Sequence, residues 1–409
     1  MSDRGAGVGG LRRPTPEETK PAGSTRQVGT LRRSEATHVI EDCDVTIGND
    51  REMGKQLWQE VDETARTQGL VDGDALGRWM DERDLPGRGE PVEATFISGG
   101  SSNEIFEIRR GEHRMALRRP PRKVPEGRNE TMMREYRVLD ALNGTDVPHP
   151  EAIAGCDDPS VIGAAFYLMG LVDGWSPMGM GDRWPAPFDT DLAARKQLGI
   201  QLVDGIARLS RVDWRARGLE GFGKPDGFLE RQADRWVAHY EKMKVRELDG
   251  VDVVAQWLRD NQPSRYEPGI IHGDYQFANV MFAHGAPARL AAMVDWEMAT
   301  IGDPLLDLGW VVQGWPRDDD DPAKAGYVPM EGMPSRAEIL GHYTDVSGRP
   351  TDEIGYYEIL AGFKLAIVLE GQYSRFKSGN LDNPKIEAFG AIVPDLLGKA
   401  AALAESTTI

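Results

Sequence analysis

Asp274 and Asn279 stand five residues apart in the run Ile270-Ile271-His272-Gly273-Asp274-Tyr275-Gln276-Phe277-Ala278-Asn279-Val280-Met281-Phe282, framed by apolar residues on both sides. In phosphoryl transfer from a nucleotide, a carboxylate so placed accepts or orients the proton of an acceptor hydroxyl, and the amide oxygen helps to hold magnesium. Sixteen residues after Asn279, the stretch Ala292-Met293-Val294-Asp295-Trp296-Glu297 reads as an apolar strand ending in a second carboxylate, Asp295. Magnesium prefers oxygen ligands and completes its shell with water and phosphates, so Asn279 and Asp295 suffice as its protein ligands. An isolated Asp after Gly273 would read as a turn cap. The spacing to Asn279 and Asp295 reverses that reading in favour of catalysis.

This block, continued by Ile301-Gly302-Asp303-Pro304-Leu305-Leu306-Asp307-Leu308-Gly309, resembles the aminoglycoside phosphotransferase (choline kinase-like) family, a small-molecule branch of the protein-kinase fold. Within that family it is most similar to the phosphotransferase domains related to those fused to some acyl-CoA dehydrogenases. The resemblance covers roughly residues 90 to 400. It implies an α+β, two-lobed protein-kinase-like fold, with a small β-rich N-lobe and a larger, mainly helical C-lobe. It also implies transfer of the γ-phosphate of ATP or GTP, with Mg2+, to the hydroxyl of a small molecule, Asp274 serving as catalytic base. Asp303 and Asp307 are expected to brace the C-lobe through backbone amides. His272, closing an apolar strand, is read as a packing residue that fixes the loop. Glu297 stands where protein kinases carry Gly, and both a contact to metal-bound water and a surface position remain open.

These residues need elements to carry them. From Val92 to Leu117 the pattern is strand-like, with Ser98-Gly99-Gly100-Ser101-Ser102-Asn103 as the turn between the first two strands. There, Gly99, Gly100, Ser101 and Ser102 can lay backbone N–H groups and hydroxyls over nucleotide phosphates, although no GxGxxG is present. Arg118 follows the apolar run Met115-Ala116-Leu117, where the protein-kinase strand carries a phosphate-binding Lys, and Arg119 competes for that assignment. Glu135, on a helix expected over 130–142, is the partner read for Arg118. Phe166-Tyr167-Leu168-Met169 is a buried-strand candidate, and Met169, Gly170 and Leu171, with Val172, form the expected hinge whose backbone reads an adenine edge.

Helices are expected over about 190–213, 228–245, 251–261, 335–346, 352–377 and 384–404, with short strands around 270–272, 280–282 and 292–295. The domain reading is a disordered tail over 1–40, rich in Gly, Pro and charge, then a helical extension over 41–90, an N-lobe over 91–170 and a C-lobe over 171–409. Trp175, Trp184, Trp310 and Trp315, with Arg317-Asp318-Asp319-Asp320-Asp321, lie where an acceptor cleft is expected; the acidic run could attract a polycationic acceptor, but the reading preferred for it is a solvated loop.

Composition narrows the partners. With 66 acidic residues against 48 basic, the net charge of −18 disfavours a nucleic-acid or anionic-membrane partner. No apolar run approaches the roughly 20 residues that span a bilayer, and a cytoplasmic location is the expectation. Cys43 and Cys156 read as ordinary thiols, far apart and outside metal-binding spacing. Besides the small-molecule kinase, two readings stay open: a nucleotide-binding module without catalysis, and an aminoglycoside antibiotic kinase. A protein kinase is disfavoured by the missing GxGxxG, HRD and APE signals.

Overall fold

The computed structural model describes residues 68–99, 103–177, 183–317, 328–380 and 384–407. The expected tail, most of the expected helical extension, Gly100, Ser101, Ser102 and the acidic run Asp318 to Asp321 lie outside them.

Five strands form one antiparallel sheet in the order β1-β2-β3-β5-β4. They are β1 (Val92–Gly99), β2 (Glu104–Arg110), β3 (His113–Arg119), β4 (Ala152–Cys156) and β5 (Phe166–Gly170). The short β4 at the sheet edge was not anticipated. Helix α1 (Gly73–Glu82) is capped by the Asp72 carboxylate, which accepts from the Ala75 amide. Its Leu76, Trp79 and Met80 pack with Phe106, Ile108, Met115, Leu117 and Phe166 on one face of the sheet, Trp79 meeting Phe166 edge-on at 4.9 Å. Because strand side chains alternate, Met115 and Leu117 face α1 while Ala116 and Arg118 face the opposite side. That side receives α2 (Arg128–Leu142), which packs on β4 and β5 and presents Glu135 to Arg118 of β3.

The remaining chain is mainly helical: α3 (Leu192–Leu209), α4 (Gln232–Met243), α5 (Val251–Asp260), α6 (Leu305–Gln313), α7 (Arg336–Ser347), α8 (Ile354–Lys377) and α9 (Phe389–Ser406). Helix α8 is central, packed on α6, α9, α4 and α5. Among these helices lie two small antiparallel pairs. β6 (Gly269–Ile271) pairs with β9 (Thr300–Gly302), and β7 (Val280–Phe282) pairs with β8 (Leu290–Met293). This pairing positions the site, because the loop joining β6 to β7 and the loop joining β8 to β9 must then lie side by side. The Val294 amide donates to the Asn279 carbonyl at 2.9 Å, which stitches the two loops together. No helix among the described residues is long and apolar enough to cross a membrane.

Candidate active site

The loop after β6 is fixed from below. Asp307, in the first turn of α6, accepts the His272 amide at 2.6 Å and the Gly273 amide at 2.9 Å with its two carboxylate oxygens. Bonds to a charged acceptor contribute roughly 1.5–3 kcal/mol each, enough to hold a tight bend. At Gly273 the backbone adopts φ +87°, and a Cβ there would lie 2.5 Å from the Met298 carbonyl oxygen, so glycine is required. The buried His272 ring donates from Nε2 to the Val294 carbonyl at 2.8 Å and packs against Trp296. Burial lowers its pKa, which suits a neutral packing ring.

Asp274 emerges from this bend with each carboxylate oxygen engaged. Gln276 Nε2 donates to one at 3.0 Å, and Asn279 Nδ2 donates to the other at 2.9 Å. Burial pushes the Asp274 carboxyl up; Lys364 works against that shift, Asp295 adds to it, and the two amides oppose it. Asn279 also donates from Nδ2 to the Asp274 carbonyl at 2.8 Å, so its amide hydrogens are directed at Asp274 and its oxygen is the end left for the cavity it lines.

Asp295 lies two residues beyond the end of β8, not at a strand end as its apolar lead-in suggested. It takes a left-handed conformation, φ 65°, uncommon outside glycine, which turns the chain out of the strand direction and into the cleft. Arg118 meets it there: Arg118 Nη2 lies 2.7 Å from Asp295 Oδ1, and Arg118 Nε lies 3.0 Å from Glu135 Oε2. Tyr167 completes the cluster by donating to Glu135 at 3.1 Å. Burial alone would lower the Arg118 pKa, but Glu135 and Asp295 outweigh it and raise it. Burial pushes Glu135 up to about 7, with Arg118 holding it down. Arg119 points to the other face and donates to the Pro120, Ile162 and Leu70 carbonyls. Strand alternation therefore assigns Arg118, and not Arg119, to the cavity.

A cavity of about 280 Å³ opens between the sheet and the C-lobe. Its lining brings together Gly99, Arg118, Met169, Gly170, Leu171, Asn279 and Asp295, while Asp274 lies outside the lining and Glu135 stands behind Arg118. Ile105, Ala116, Leu139 and Met281 supply apolar walls of the kind that sandwich a planar ring. Three features were missed by the sequence reading. Asn103 lines the cavity with a buried, unpartnered carboxamide oxygen. Arg128, at the start of α2, pairs with Glu297 at 2.5 Å. Lys364 of α8, 6% exposed, donates its ammonium to the Gly273 carbonyl. Glu297 is thus partly buried and paired, and burial with Asp295 raises its pKa while Arg128 holds it down. Trp175 and Trp184 pack into the core with Phe188, Phe282 and Phe277. Trp310 and Trp315 border a small cavity of about 30 Å³ next to Gln276.

A small antiparallel lobe over a helical lobe, with two paired loops converging on a cleft, defines a kinase-like phosphotransferase fold. Residues 93–340 match the phosphotransferase enzyme family, and the chain belongs to that family. It is 30% identical over 354 residues to acyl-CoA dehydrogenase family member 11 of Gallus gallus, covering 83% of this chain and 44% of the relative. The human protein of that name is 29% identical, with 82% and 43% covered. The chain thus spans less than half the length of these curated relatives. Among solved structures, a candidate aminoglycoside phosphotransferase of Ralstonia eutropha JMP134 superposes with a TM-score of 0.70 at 28% identity, covering 83% of this chain and 99% of that one. A thermostable mutant of aminoglycoside phosphotransferase APH(4)-Ia, in ternary complex with AMP-PNP and hygromycin B, shares the fold at a TM-score of 0.51 and 14% identity, covering 81% and 99%.

Proposed function

We propose that this chain is a Mg2+-dependent small-molecule kinase that transfers the γ-phosphate of ATP or GTP to a hydroxyl, with Asp274 as the base. The carrying observation is that Asp274 is pinned by Gln276 and Asn279, while Asn279 shares the cleft with Asp295 and Arg118. The bond from the γ-phosphorus to the bridging oxygen breaks, a bond from the acceptor oxygen to phosphorus forms, and the acceptor proton passes to Asp274. Such transfer asks for placement and charge neutralisation more than covalent help. Arg118 supplies a fixed cation for phosphate oxygens.

The donor set suits magnesium. Asn279 offers an amide oxygen and Asp295 a carboxylate at one cleft, and two protein oxygens leave room for water and phosphates. When bound, the ion would neutralise phosphate charge. Gly99 and its loop are read as the phosphate cover, and Met169, Gly170 and Leu171 as the edge that reads the base. The acceptor is read as a hydroxyl-bearing metabolite, a hydroxylated acid or its acyl thioester; the names of the curated relatives support that direction. The net charge of −18 disfavours nucleic-acid and anionic-membrane partners, and a cytoplasmic location is part of the same reading.

The test is a panel of hydroxylated small molecules with Mg2+ and ATP or GTP, followed by phosphate release onto the acceptor. Asp274→Asn should lower transfer by at least about 1,000-fold while nucleotide affinity stays within about twofold, because the base acts on the acceptor and does not line the nucleotide cavity. Unimpaired turnover removes Asp274 from its role. Nucleotide binding with no transfer to any acceptor favours the non-catalytic module.

A further inference from the structure

Lys364 lies inside α8, ten residues past its start, among side chains that are otherwise mostly apolar. Its ammonium ends behind the catalytic bend, donating to the Gly273 carbonyl, 4.6 Å from the centre of the Trp310 ring on α6 and 5.9 Å from that of Trp236 on α4. A methionine or leucine would fill such a place without the cost of desolvating a charge. Aromatic faces offset part of that cost, since their negative quadrupole attracts a desolvated cation. What the charge reaches is the peptide that carries Asp274. Asp307 holds the two amides of this bend, His272 and Gly273, and Lys364 holds the carbonyl of Gly273. Met298 closes the remaining side, within 2.5 Å of where a Cβ at Gly273 would be. The bend is therefore held at the His272 and Gly273 amides and at the Gly273 carbonyl, and rotation of the Gly273–Asp274 peptide would swing the Asp274 carboxylate away from Gln276 and Asn279.

We propose that Lys364 is a positioning residue for phosphoryl transfer: from the centre of α8 it clamps the Gly273 carbonyl and so fixes the direction in which Asp274 meets the acceptor hydroxyl. This rests on the reading of Asp274 as the base. Lys364 does not touch the nucleotide cavity, so its contribution belongs to turnover and not to nucleotide affinity.

Lys364→Met keeps the apolar stem and most of the length but removes the donor and the charge. In the full chain with Mg·ATP and the best acceptor of the panel, kcat should fall roughly 100-fold, the scale on which a displaced catalytic group is felt, with the KM for ATP within about twofold. Lys364→Arg, which keeps a cationic donor, should recover part of the loss. In an Asp274→Asn background, Lys364→Met should cost nothing further, because a residue whose effect runs through the Asp274 carboxylate has nothing left to act on. A second readout needs no acceptor: hydrogen exchange at the His272 and Gly273 amides should rise in Lys364→Met while exchange in α8 and β6 is unchanged. Full kcat in Lys364→Met, losses that add to those of Asp274→Asn, or unchanged exchange in the bend each overturn the proposal. A variant set that fails to fold or to bind nucleotide makes Lys364 a folding residue and overturns it equally. A wild-type protein that turns over no acceptor, yet loses protection in the bend on substitution, removes the kinase reading while leaving the clamp in place.

Discussion

Asp303 is buried just before α6, its two oxygens taken by the Tyr357 hydroxyl at 2.7 Å and the Leu305 amide at 3.0 Å, and burial pushes its carboxyl up to about 6. Its ordinary value is 3.8, so the folded protein binds this proton more tightly than the unfolded chain does. Between about pH 4 and pH 6 the native state therefore carries more protons than the unfolded state, and its stability falls as pH rises through that window. At about 1.4 kcal/mol per unit, the ceiling for this single group is about 3 kcal/mol. Asp303→Asn keeps an acceptor for the Leu305 amide and cannot ionise. The prediction is that urea midpoints of Asp303→Asn and wild type, compared at pH 4 and pH 7, diverge in favour of Asn at the higher pH. A pH-independent difference would mean that Asp303 is not held protonated by its burial.

Helix α6 approaches α8 so closely that a Cβ on Gly309 would stand 2.5 Å from the Tyr357 carbonyl oxygen and 2.6 Å from its carbonyl carbon. Backbone atoms in the middle of a packed helix cannot step aside, so Gly309→Ala should cost about 1–3 kcal/mol by overpacking and lower the thermal midpoint. Gly362, on α8 itself, is the internal control. Its nearest non-local neighbour is the Ala400 Cβ at 3.9 Å, so alanine there should be neutral or add up to about 1 kcal/mol of helix propensity. Equal effects at the two sites would contradict the close approach. Elements of this size are what the sequence made legible: apolar spacing predicted a helix over 352–377, and α8 runs Ile354–Lys377. The short strands β6 and β7, close to the expected 270–272 and 280–282, were legible too, but β9 was not. β9 has no room for an alternating pattern and exists because β6 lies opposite, and the left-handed turn at Asp295 follows from two loops sharing a space. Lys364 was illegible for a similar reason, since a lone cation in an apolar helix shows its purpose only once the bend beneath Asp274 is in place.

Across the whole molecule, Arg118 reaches Asp295 over 177 residues of chain and Arg128 reaches Glu297 over 169, so the loop between β8 and β9 is tied twice to the sheet lobe. Neither pairing has a local signature. Arg134 and Arg137 of α2 add bonds to backbone carbonyls of Phe222, Ala299, Gly218 and Glu220, which dock α2 onto the C-lobe as well. If a nucleotide binds in the cavity between the two lobes, as proposed, it should stabilise the native state by mass action. At 100 times its Kd that amounts to about 2.7 kcal/mol, a rise of roughly 3 °C in the thermal midpoint. If Asp295 is a magnesium ligand, adding Mg2+ to wild type with AMP-PNP should raise the midpoint further, because Asp295 and Asn279 would hold the ion and the ion would offset phosphate charge. Asp295→Ala should keep the shift produced by nucleotide alone, since Arg118 remains paired with Glu135, and lose the magnesium increment. Differential scanning calorimetry with and without EDTA separates the two contributions, and an undiminished magnesium increment in Asp295→Ala would remove that carboxylate from the metal site.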